Sequence, residues 1–134
     1  MEDDKRDDRG ERPANDLERL ILDSRAGRAP VENLLRALVA ADLYVSSATE
    51  IKDDGTGFTP LLFDNQAGNL LTAVFTDPSR ATAHAGRAKY LLRLKGRDLF
   101  RRLPAGYGLV INPGHPVGME IQPFGVEAIV RDFA

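Results

Sequence analysis

Two histidines, His84 and His115, are the only imidazoles in a chain that carries no cysteine, so thiolate metal sites, disulfides and cysteine nucleophiles are all excluded. The histidines lie far apart in sequence and form no His-x-x-x-His pair, and a zinc site would need carboxylates brought in by the fold. No metal and no cofactor is expected. His115 stands in Asn112-Pro113-Gly114-His115-Pro116, where a general base would need a nucleophile and an orienting carboxylate within reach. Ser46, Ser47 and Ser79 are the serines to consider, yet none lies in a Gly-x-Ser-x-Gly elbow. Asp53 and Asp54 adjoin Gly55-Thr56-Gly57 without the alternating ligands of a calcium loop, and read as a solvated turn. Gly106-Tyr107-Gly108 precedes a strand rather than opening a helix, so phosphate cradling is unsupported.

Charge offers a second kind of chemistry. The net charge is -2, but residues 80–102 carry eight cations against Asp98 alone, interleaved with Tyr90 and Phe100. Arg87, Lys89, Arg93, Lys95 and Arg97 are the basic-patch candidates for phosphate neutralisation. No helix-turn-helix, RNA-recognition or zinc-finger signature surrounds them, so nucleic acid is the disfavoured partner.

These residues depend on elements that the apolar pattern predicts. At 134 residues and 43% hydrophobic composition, the chain is expected to form one domain over 15–134, preceded by a flexible charged tail over 1–14. Asn15 with Glu18 has the capping-box form and starts a helix that Gly27 stops. Pro30 opens a second helix, with Val31, Leu34, Leu35, Leu38 and Val39 on one stripe. A strand follows at 43–46, then a hairpin from 60–63 and 70–75 around Asp64-Asn65-Gln66-Ala67-Gly68. Asp77-Pro78 caps a helix running to about Ala85. Residues 90–94 are strand or helix, with strand preferred. A short helix over 98–103, strands over 107–111 and 117–121 paired around the His115 turn, and an amphipathic helix from Pro123 to Phe133 complete the chain. The fold class expected is α/β in the α+β sense: a mixed sheet of about five to six strands, containing a hairpin and packed with amphipathic helices.

Three stretches, VENLLRALVAADLYV, FTPLLFDNQAGNLLTAVFTDPSRA and LPAGYGLVINPGHPVGMEIQPFGVEAIV, together resemble the SseB family, specifically its N-terminal domain. The exit from strand to helix at Leu71 to Pro78 and the run Gly108 to Gly114 carry most of the likeness. The resemblance implies an α/β domain of the bacterial cytoplasm, associated by name with enhanced serine sensitivity, and supplies no catalytic residues. The functional expectation is a non-catalytic protein-interaction module, whose candidate surface is Asn112, Pro113, Gly114, His115 and Phe124, since proline-rigidified loops present side chains at low entropic cost. The alternatives are nucleic-acid binding through 80–102 and a small-molecule-binding or hydrolytic domain using His115. The partners expected are an unidentified protein and, through an unpaired sheet edge, a second copy of the chain. No stretch of 18 apolar residues exists and the N-terminus has no apolar h-region, so the expectation is a cytoplasmic protein without a membrane partner.

Overall fold

The computed structural model describes residues 12–53 and 57–134. The expected tail lies outside the described residues up to position 11, as do the middle residues of the Asp53–Gly57 turn. Residues 12–14 differ from the expectation of a free tail, because Arg12 O accepts a bond from Arg80 and Ala14 N donates one to Glu18.

Among the described residues, four α-helices and one 3-10 helix pack on an open mixed sheet of six strands. The elements are α1 (Asp16–Arg25), α2 (Val31–Ala40), β1 (Asp42–Ser47), β2 (Leu62–Asp64), β3 (Leu70–Phe75), the 3-10 helix (Pro78–His84), β4 (Tyr90–Lys95), α3 (Gly96–Arg102), β5 (Gly108–Ile111), β6 (Met119–Ile121) and α4 (Pro123–Asp132). The strand order is β4-β1-β3-β5-β6, with β2 paired to β3. Only β3 and β5 run parallel, and the 3-10 helix, β4 and α3 form the long connection that a parallel pair requires.

Strand alternation divides the buried side chains between two faces. Leu43, Val45, Val74, Leu109, Ile111 and Ile121 meet Ile21, Leu38, Phe100 and Ile129 of the helices in the main core. Ala73 and Phe75 point the other way, where they pack with Leu61, Ala81 and Ala88 beneath the 3-10 helix.

The periodicity readings hold for the long helices and for the hairpin, and residues 90–94 resolve as strand. Three boundaries differ. The segment after Asp77 is a 3-10 helix, since only seven residues separate that cap from Ala85 and short pieces take the tighter winding. The helix expected at Asp98 begins at Gly96, whose N–H still donates to Ala41 O while its backbone turns helical. Finally, β5 begins at Gly108 and β6 at Met119, one and two residues later than expected, and Val117, ahead of β6, gives its carbonyl to Asn112 Nδ2.

Candidate functional site

The sequence around Asn15 builds more than a helix start. Asn15 Oδ1 accepts from Glu18 N at 2.9 Å, as an N-cap should, but the Glu18 side chain reaches Ala14 N at 2.7 Å rather than the cap residue. Its carboxylate then turns inward and is 0% exposed. Arg80 donates to it through Nε at 3.0 Å and Nη2 at 2.6 Å, a forked contact, and Thr76 Oγ1 donates at 2.6 Å. Burial pushes the carboxyl upward, yet the bonds from Arg80, Thr76 and Ala14 outweigh it and hold Glu18 below its ordinary range.

From Thr76 the network continues into the loop after β5. Asn112 Nδ2 donates to Thr76 Oγ1 at 2.8 Å and to Val117 O at 2.7 Å, while Asn112 Oδ1 accepts from Thr76 N at 3.1 Å. Asn112 takes this role with φ +53°, a left-handed conformation that asparagine tolerates better than most residues. Both histidines brace the same loop: His84 Nε2 bonds Pro113 O at 2.9 Å and His115 Nε2 bonds Arg80 O at 3.0 Å. A carbonyl oxygen only accepts, so Nε2 carries the proton in each ring.

The predicted interaction residues therefore separate. Asn112 is only 1% exposed and its amide is committed inside, so it serves the proposed surface as a brace and not as a contact. Gly114 is exposed, at φ +87°, and Pro113, His115 and Pro116 are half-buried. Phe124, 76% exposed, does not join them: it follows β6, whose Ile121 pairs with Leu109, whereas the loop leaves β5 at its other end after Ile111. The basic candidates also diverge. Arg87 stacks over Phe63, Lys89 over Tyr90, and Lys95 pairs with Asp42 at 3.1 Å. Arg93 shares the outward face of β4 with Lys95, and Arg97 is exposed on α3.

The sequence marks Glu18 only as the capping-box partner of Asn15 and Arg80 only as one cation of the basic segment, and Thr76 carries no local signal. The Asn15-to-Glu18 spacing signalled the cap, but nothing local announced a partner 62 residues away. Two further features arise only in three dimensions. An apolar cavity of about 200 Å³ lies under Leu92 and Leu94, walled by Val45, Leu99 and Leu103 with Arg102 at its edge. On the opposite face Ser46 Oγ is buried without a hydrogen-bond partner among the described residues, beside the small side chains Ala81, Ala85 and Ala88. A desolvated orphan hydroxyl costs about 1–3 kcal/mol, so Ser46→Ala should leave stability unchanged or raise it by up to about 1 kcal/mol in urea unfolding. A loss of that size instead would show that the hydroxyl has a partner.

Among the described residues no cluster of three His, Cys, Asp or Glu side chains could hold a metal, and no helix is long and apolar enough to cross a membrane. The class defined by this architecture is an α+β domain with its α-helices against one face of an open mixed sheet, a 3-10 helix against the other, and a polar network bracing one end. The family model for the SseB protein N-terminal domain matches residues 17–128, and the chain belongs to the SseB family. No curated protein and no solved structure matches it.

Proposed function

We propose that this SseB-family domain is a non-catalytic module that works by binding another protein, with the bacterial cytoplasm, which the family resemblance implies, as the place to seek that partner. The observation that carries the reading is Phe124, 76% exposed in the first turn of α4 while Val126 and Ile129 of the same helix are buried. An aromatic ring held out by an anchored helix is the kind of side chain that dominates protein interfaces. Beside it, Pro123 lines a groove of about 310 Å³ with Tyr107, Val126 and Val130. The histidines support the non-catalytic part, since each spends Nε2 on a backbone carbonyl rather than on a nucleophile.

With the purified domain as bait, Phe124→Ala is expected to reduce capture of the principal partner by about tenfold or more, as loss of an interface anchor does. Its melting temperature should stay within about 1 °C of the parent, because an exposed side chain away from the core adds little stability. Undiminished capture would remove Phe124 from the interface. Turnover of a defined metabolite by the purified domain would overturn the non-catalytic reading.

A further inference from the structure

The outer edge of the sheet is β4, which pairs with β1 on one side and is the terminal strand of the order β4-β1-β3-β5-β6. Gly96 N–H donates to Ala41 O, which marks 41 and 96 as a hydrogen-bonded antiparallel pair one step beyond Asp42 and Lys95. Such pairs alternate along the ladder. The even-numbered residues of β4 therefore bond β1, and the backbone N–H and C=O groups of Leu91, Arg93 and Lys95 aim off the sheet. A free row of this kind is a template for one more strand.

The side chains on the two faces of β4 say what that strand should carry. Leu91, Arg93 and Lys95 are exposed on one face, Leu91 at 41%. On the other, Leu92 and Leu94 are half-buried over the apolar cavity of about 200 Å³. An extended segment paired to β4 alternates likewise, one set of side chains meeting the cations and the other reaching the cavity. Lys95 is already paired with Asp42, but both groups are exposed and a second carboxylate can join them. A second copy of this chain fits poorly, because pairing β4 with itself sets Arg93 and Lys95 against the same cations.

We propose that β4 docks an extended acidic segment of a partner protein, with carboxylates facing Arg93 and Lys95 and alternate apolar side chains entering the cavity beneath Leu92 and Leu94. This rests on the interaction-module reading and gives that module a second surface with a stated partner chemistry.

The probe is a fluorescent peptide of alternating glutamate and valine, titrated against the domain by anisotropy, with the lysine-for-glutamate peptide as control. The glutamate peptide should bind, weaken as salt is raised to about 0.5 M, and weaken about tenfold or more with Arg93→Glu/Lys95→Glu. Amide exchange in the complex should show new protection at Leu91, Arg93 and Lys95. Equal binding of the lysine peptide, undiminished binding to the charge-reversed variant, or protection confined to other residues would each overturn the proposal. Failure here is separable from failure of the module reading: a native partner lost with Phe124→Ala but kept by Arg93→Glu/Lys95→Glu leaves the module standing and removes β4 from it.

Discussion

Glu18→Ala is expected to destabilise the domain by about 3–5 kcal/mol, the usual consequence of removing one member of a buried ion pair. At this chain length that lowers the melting temperature by roughly 10–18 °C. The size follows from what is left behind. Arg80 is 9% exposed and directs Nε and Nη2 at the carboxylate, so its buried guanidinium would lose the acceptor that takes its forked contact, while Nη2 keeps its bond to Arg12 O. Thr76 Oγ1 and Ala14 N lose their acceptor as well. Replacing both charges by apolar groups of similar volume, as Glu18→Leu/Arg80→Met, should cost less than the two single changes together, because neither member of the pair is then buried without the other. A double variant as damaging as the sum of the two singles would show that the pair is not a coupled unit.

The same pair sets an acid limit. Glu18 is held below its ordinary value of 4.5, so its contribution is complete above that value and is lost as pH falls through the lower folded-state value. Glu18→Gln should thus be less stable than the parent at neutral pH, with the gap closing below about pH 4. Thermal melts of both proteins across that range measure it. A gap of constant size down to acid would mean that the carboxylate's ionisation does not matter to the fold. Because the network runs on through Thr76 to Asn112, Glu18→Gln at neutral pH should also show faster amide exchange at Gly114 and His115, the two residues between Pro113 and Pro116 that carry an amide hydrogen.

These effects mark the boundary of what local sequence conveys. The spacing of Leu34, Leu38 and Val39 defined a buried helix face, and Asp77-Pro78 and Asn15 announced their caps, because each signal is contained within one turn. Asn112-Pro113-Gly114 was legible as a turn. That the asparagine faces inward was not, since the outcome depends on Thr76 lying across the β3–β5 pair. Arg80 looked like one more surface cation among its neighbours, and only the packing of α1 against the exit of β3 makes it the partner of a buried carboxylate. The strand at 90–94 showed its composition but not its place at the sheet's edge, because strand order is a nonlocal property. For the same reason Phe124 and the His115 loop, close in sequence, could be read as one surface although β6 carries the chain between them to opposite ends of the hairpin.

Gly96→Ala is expected to cost about 3 kcal/mol or more, beyond the ordinary helix preference for alanine over glycine, which would favour the change by up to about 1 kcal/mol. A Cβ at this position would stand 1.9 Å from Leu38 O and 2.9 Å from Leu38 C. Neither is the end of a flexible side chain. Relief requires α2 and α3 to separate, and α2 is held in place by Leu38 and Val39, both buried in the core. Gly86 supplies the control, because nothing lies within 4 Å of a Cβ built there, and Gly86→Ala should leave the urea midpoint nearly unchanged. The change at Gly96 also bears on the edge strand, since Gly96 closes β4 and begins the helix that carries Leu99 to the cavity wall. Gly96→Ala should accordingly lose both stability and affinity for the acidic peptide, while Arg93→Glu/Lys95→Glu loses affinity with at most about 1 kcal/mol of stability, the cost of setting a second carboxylate opposite Asp42 on an exposed strand pair. A Gly96→Ala protein as stable as the parent would show that α2 and α3 are not packed as closely as the Leu38 contact requires, and a charge-reversed protein as destabilised as Gly96→Ala would make its loss of binding a matter of folding rather than recognition.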